Sequence, residues 1–212
     1  MTPRIEVAER PGVGSDGVVR PSEDVVVVLP HAVVLLDGAT APDPALPTGI
    51  WYASRLAGEL AGRLAGYPDT DLEDLVAASI KTVARDRELT PGRSPSSTVA
   101  VLRWNETTIE GLVLGNSPIV VFIDDGVTAL TGHDSDGLAE ADPDVAYSAA
   151  HTTWPRAHVT TALMASDGVT LEAVPDWYAI RELAVHSGPE AVLNQIPSED
   201  GDDQALVVAH FA

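Results

Sequence analysis

Three short acidic stretches, each at the end of an apolar run or beside one, hold the residues best suited to chemistry. They are VVLLDG at Val33–Gly38, LMASDG at Leu163–Gly168, and Asp200-Gly201-Asp202-Asp203 just before ALVVAHF. Carboxylates at strand ends on distant segments meet only if the fold gathers those ends. Where they do meet, the usual physical reason is a hard divalent cation, because Mg²⁺ and Mn²⁺ prefer oxygen ligands. Competing chemistries find little support. Cysteine is absent, which excludes disulfides, zinc–thiolate sites and thiol nucleophiles. Ser96-Ser97-Thr98 offers hydroxyls, but no nearby histidine and acid complete a triad, and there is no Gly-x-Ser-x-Gly elbow. The six histidines are scattered without zinc-ligand spacing, His133 alone standing near a motif, and the four tryptophans read as packing anchors.

The elements that must position these carboxylates follow from periodicity. Arg4–Glu9 alternates as a strand does. Asp24–Leu29 and Ala32–Asp37, separated by Pro30-His31, read as adjacent antiparallel strands. Ala39–Pro47, with three prolines, is a loop. Thr48–Gly66 places Ala53, Leu56, Ala57, Leu60, Ala61 and Leu64 on one helical face. Asp71–Leu89 does the same with Leu72, Leu75, Val76, Ile80 and Val83, behind Thr70 or Asp71 as N-cap. A four-strand meander is expected next: Ser97–Trp104, Thr107–Leu114, Ile119–Asp124 and Val127–Leu130. Residues Thr131–His158 are polar and weakly periodic, and read as irregular with at most one short helix. Val159–Ala165 is a strand, Trp177–Ser187 and Pro189–Gln195 are helices, and Leu206–Phe211 is a closing strand. Long antiparallel runs with segregated helices indicate an α+β fold of two packed, mainly antiparallel sheets flanked by helices.

Composition narrows the function classes. The 212 residues suit one domain, 1–212, with a substantial core, and 45% of them are hydrophobic. A net charge of −20, from 32 acidic and 12 basic residues, argues against nucleic acid and anionic membranes. It leaves phosphorylated substrates open, because bound cations reverse the local sign. Neither a signal core nor a run long enough to span a bilayer is visible, so a cytoplasmic protein is expected. Eleven of the twelve basic residues are arginine, which points to a GC-rich bacterial genome.

Read in order, further motifs join the acidic three: Arg20-Pro-Ser-Glu23-Asp24 before VVVV, Asp37-Gly38-Ala39-Thr40, Ser96-Ser97-Thr98-Val99-Ala100, Gly115-Asn116-Ser117, Leu130-Thr131-Gly132-His133-Asp134, Ser166-Asp167-Gly168 and Asp202-Asp203. Each alone is also what an ordinary turn, helix cap or solvated acidic loop looks like. The collinear set resembles the metal-dependent protein phosphatases of type 2C, the PPM family, over nearly the whole chain. That resemblance implies an α-β-β-α sandwich and a phosphoserine/phosphothreonine phosphatase using two Mn²⁺ or Mg²⁺ ions. It implies that Asp37 bridges the ions, that the Gly38 carbonyl, Asp167 and Asp202 are further ligands, and that Glu23 reaches one ion, often through water. Two ions acidify a bridging water that attacks phosphorus, and Arg20 holds the phosphate. A phosphorylated protein is the implied partner, and a monomer is the expected state.

The departures are also specific. Arg20 sits one residue nearer Glu23-Asp24 than the family spacing. Asp-Gly-x-Gly-Gly has become Asp37-Gly38-Ala39-Thr40, so no histidine follows Asp-Gly to protonate a leaving group. The family's Gly-Asp-Ser aspartate is Asn116, which predicts a weak or absent third ion. These changes keep a second hypothesis open, a catalytically weak or inactive pseudophosphatase that binds phosphoproteins or regulates. An unrelated α+β domain with coincidental acidic turns is the third.

Overall fold

The structure, a computed structural model, describes residues 2–14, 16–132, 138–169, 176–196, 198 and 201–211. Its organising hairpin is β2 (Asp24–Val28) with β3 (Ala32–Ala39), valine- and leucine-rich strands suited to a surface buried on both faces. Pairing is antiparallel, from Asp24 opposite Asp37 to Val28 opposite Val33. β4 (Ser96–Ser97) and β5 (Val99–Trp104) both pair with β3, β6 (Thr108–Leu114) with β5, and β9 (Ala150–Pro155) with β6. Together they form one sheet of six strands. The second sheet, of five, runs in the order β1 (Arg4–Arg10), β11 (Gln204–His210), β10 (Val159–Ala165), β7 (Ile119–Ile123) and β8 (Gly126–Leu130).

Side-chain alternation decides what each strand face touches. On β3, Val33 and Leu35 join Leu102, Val121, Met164 and Val207 in a core between the sheets. The alternate residues, Val34 and Leu36, pack against α1 (Gly49–Gly66) and α2 (Leu72–Asp86) through Leu56, Leu60 and Ile80. Leu56, Leu60 and Leu64 are fully buried, each worth roughly 1.5–3 kcal/mol of apolar transfer. On the far face, Leu163, Ala165 and Leu206 pack against α3 (Trp177–Ser187) and α4 (Pro189–Leu193). The expected arrangement, two mainly antiparallel sheets between layers of helices, is therefore observed. Helix starts obey local chemistry: the Thr48 hydroxyl accepts from the Trp51 N–H, and the Asp176 carboxylate accepts from the N–H groups of Tyr178 and Ala179. No described helix is long and apolar enough to cross a membrane.

Two expectations are corrected. The four-strand meander is two hairpins in different sheets, because β6 pairs with β9 whereas β7 pairs with β8 and β10. The chain changes sheet at Gly115-Asn116-Ser117-Pro118, and Gly115 (φ 86°) supplies the left-handed residue that the change of direction requires. The stretch 131–158 contains more than a short helix. A 3₁₀ helix, Pro143–Ser148, precedes β9, whose polar AHTTWP buries only Trp154. An edge strand needs little apolar alternation, so hydropathy conceals it.

Candidate metal centre

Strand register builds the site. Asp24 and Asp37, opposite each other, continue the rows of Val26 and of Val33 and Leu35 that face the other sheet. At that end of the sandwich, β10 runs into Ser166-Asp167-Gly168, and Asp202-Asp203 leads into β11. Glycine permits the closeness. A Cβ on Gly168 would lie 1.8 Å from the Asp203 carbonyl oxygen, so the two acidic turns touch through backbone.

The second carboxylate of the terminal pair is committed to structure. Asp203 Oδ1 accepts from the Gly12 N–H and Oδ2 from the Glu23 N–H, both at 2.6 Å. This clamp holds the segment leading into β2 against the start of β11. Glu23 is bound on its other side too, its carbonyl accepting from the Gly38 N–H at 3.1 Å. Thr98 pins the Asp37 turn. Its hydroxyl accepts from the Asp37 N–H at 3.0 Å, and its own N–H donates to the Asp37 carbonyl at 2.9 Å.

Of the residues singled out in the sequence, Glu23, Asp37, Gly38, Asp167 and Asp202 are brought together. Electrostatics records their proximity. Burial first, then the charges of Asp24, Asp167 and Asp202, push the Asp37 carboxyl up to about 9, and Asp37 also shares a hydrogen bond with Asp167. Asp202 is raised by desolvation, and the charges of Asp167, Asp203 and Glu23 push the same way. Arg20 is exposed; its N–H donates to the Gly12 carbonyl at 3.0 Å, and its guanidinium lies against Gly14 without a hydrogen bond or ion pair to a described residue. The Leu130-Thr131 motif runs into His133 and Asp134, which lie outside the described residues, as does Asp200.

One member was not assigned a role from sequence. Asp24 is 6% exposed, and burial above all lifts its carboxyl to about 7. Its Oδ2 accepts from the Ser166 hydroxyl at 2.8 Å, while Oδ1 is buried without a partner among the described residues. The only signal available was its alternation with Val26, which marks the inward face. Asn116 adds a donor: its Nδ2 donates to Asp167 Oδ2 at 3.0 Å.

A cleft of about 250 Å³ opens here, bordered by Asp37, Ala39, Thr98, Asn116 and Asp167. A larger cavity of about 860 Å³ lies at the other end of β3 and β5, around Arg103, Trp104 and Glu110, away from the acidic motifs. The donor set fits a hard cation in kind: clustered carboxylates, one with an orphaned buried oxygen, whose burial and neighbouring charges raise the Asp24 and Asp37 carboxyls. Among the described residues, no three acidic or imidazole side chains already close into a ligand set. The carboxylates instead hold hydrogen-bond donors and one another.

No family model matches the sequence, and no curated protein matches it. Solved structures do. The catalytic domain of the serine/threonine protein phosphatase PstP, in complex with two manganese ions, matches with a TM-score of 0.70 and 20% identity over 99% of both chains. PppA of Pseudomonas aeruginosa, described as a key regulatory component of T6SS, gives 0.68 and 19% over 99% of this chain and 98% of that one. The serine/threonine phosphatase Stp1 of Staphylococcus aureus gives 0.67 and 15% over 99% and 96%. Across such low identities the likeness is one of architecture: the chain has the type 2C phosphatase fold.

Proposed function

We propose that the protein is a metal-dependent protein phosphatase acting on phosphoserine and phosphothreonine. The observation that carries this reading is the convergence of Glu23, Asp24, Asp37, Asp167 and Asp202, from four separate segments, beside one cleft. The manganese-bound state of PstP, on the same fold, supports it. In this reading Asp37, the Gly38 carbonyl, Asp167, Asp202 and Glu23 hold two Mn²⁺ or Mg²⁺ ions. Such ions, when bound, acidify water and offset charge on a phosphoryl group. The chain's own contribution is placement. Thr98 fixes the Asp37 backbone, Asn116 orients Asp167, and Ser166 holds Asp24. Arg20, whose exposed guanidinium makes no hydrogen bond to a described residue, is a cation available to a phosphate. The reading takes residues 1–212 as one domain, a cytoplasmic monomer whose partner is a phosphorylated protein.

Hydrolysis of p-nitrophenyl phosphate with and without Mn²⁺, alongside Asp37→Ala and Asp167→Asn, tests it. Turnover requiring both the ion and Asp37 is expected. Full turnover by either variant sinks the assignment.

One observation favours a second reading, a pseudophosphatase that binds phosphoproteins without hydrolysing them. Asn116 occupies a motif position where a carboxylate is usual, and its amide engages Asp167. Folded protein that neither binds Mn²⁺ in calorimetry nor turns over substrate is the outcome this reading expects.

A further inference from the structure

We propose that Thr40 is a positioning residue for Glu23 in the metal centre. This inference rests on the metal-dependent reading above. The Thr40 hydroxyl donates to Glu23 Oε1 at 2.5 Å and accepts from the Gly49 N–H at 2.8 Å. The Ile50 N–H donates to the same Glu23 oxygen at 3.2 Å. Two donors therefore hold Oε1, and Oε2 makes no hydrogen bond among the described residues. The Glu23 backbone lies between two of the acidic turns, its N–H donating to Asp203 Oδ2 at 2.6 Å and its carbonyl accepting from the Gly38 N–H at 3.1 Å.

Glu23 lies between two attractions. One is the N-terminus of α1, whose first N–H groups lack partners within the helix and carry the positive end of its dipole. The other is a cation among the carboxylates. Backbone contact fixes how near the helix comes: a Cβ on Gly49 would lie 2.7 Å from the Ala39 backbone, and one on Gly38 equally near Gly49. At that distance an uncompensated Gly49 N–H would draw on Glu23. The Thr40 hydroxyl satisfies Gly49 itself and passes a short, charge-assisted bond to one Glu23 oxygen. A hydroxyl is needed because the group must accept and donate at once. Thr40 thus gives the altered Asp37-Gly38-Ala39-Thr40 motif a use: it holds Glu23 by one oxygen and leaves the other for the ion.

The test is calorimetric titration of Mn²⁺ into metal-free wild type, Thr40→Val and Thr40→Ser, with melting temperatures taken before and after. Thr40→Val keeps the shape and loses the hydroxyl; it is expected to weaken Mn²⁺ binding about tenfold, as loss of a bond supporting a metal ligand does. Thr40→Ser is expected to restore it. Wild-type affinity in Thr40→Val overturns the proposal even if the metal-free melting temperature falls, because the role is then confined to capping α1. A wild type that binds no Mn²⁺ overturns the metal-centre reading and this one with it, whereas binding insensitive to Thr40 overturns this one alone. Should Thr40→Val not fold, Thr40→Ala removes the same hydroxyl and is read the same way.

Discussion

Asp24, in β2, and Ser166, just past the end of β10 in the other sheet, stand 142 residues apart, yet the Ser166 hydroxyl donates to Asp24 Oδ2 at 2.8 Å with both side chains buried. The Ser166 hydroxyl oxygen in turn accepts from the Ala205 N–H at 2.8 Å. One hydroxyl thus ties β2, the end of β10 and β11 where the acidic turns meet. Ser166→Ala leaves the Ala205 N–H and a buried carboxyl short of a partner, which costs about 1–3 kcal/mol. The expected result is a lower urea midpoint at unchanged slope. An unchanged midpoint would mean that the hydroxyl is not holding the sheets together.

Metal-free protein is expected to lose stability as pH rises. Asp37 is held up to about 9 and Asp24 to about 7, against 3.8 for an ordinary aspartate. Between these limits the folded protein binds more protons than the unfolded chain, so the stability associated with these carboxyls is full below 3.8 and lost as pH climbs through 7 and then 9. In chelator-treated protein, the melting temperature should be higher near about pH 5.5 than near about pH 8.5, with Asp37→Asn flattening the difference. Mn²⁺ displaces those protons, so its affinity should rise over the same interval and calorimetry in two buffers should register proton release. A pH-independent affinity would contradict this.

Gly168 and Gly62 should respond oppositely to alanine. At Gly168 the new Cβ meets the Asp203 carbonyl at 1.8 Å, so Gly168→Ala must push the two acidic turns apart. Gly62, on the exposed face of α1, has nothing within 4 Å of its Cβ position, and Gly62→Ala should add about 0.5–1 kcal/mol by helix propensity. Chemical denaturation should place the former below wild type by about 1–3 kcal/mol or more, and Mn²⁺ should stabilise it less. Equal behaviour of the two variants would refute the close approach.

What the sequence showed and what it hid divide along physical lines. β2, β3, α1, α2 and β5 announce themselves because burial on both faces or on one stripe imposes a period. β9 does not, since an edge strand carrying only Trp154 inward imposes none. The division of the strand series at Gly115–Pro118 was invisible because pairing partners are non-local: β7 pairs with β10, forty residues on. Clustering of Asp37, Asp167 and Asp202 was foreseeable from collinear motifs. The division of labour within each acidic pair was not. Glu23 and Asp24 are neighbours, yet the inward row makes Asp24 the buried one. Asp202 and Asp203 look interchangeable, yet only Asp203 meets the N–H groups of Gly12 and Glu23.

Asn116 offers a charge-addition test of where the cation sits. Its amide donates to Asp167 Oδ2, on the border of the cleft that also touches Asp37. Asn116→Asp replaces that donor with a further carboxylate beside Glu23, Asp24, Asp37, Asp167 and Asp202. Without metal, like charges should destabilise the fold, lowering the melting temperature by about 2–4 °C for each kcal/mol lost. Added Mn²⁺ should then raise it by more than in wild type, because the ion offsets one charge more. Asn116→Ala removes the donor without adding charge; its metal-free loss should be smaller and its response to Mn²⁺ no greater than wild type. If the two variants respond to Mn²⁺ alike, residue 116 does not face the ion, and the cleft between Asp37 and Asp167 is not where the cation binds.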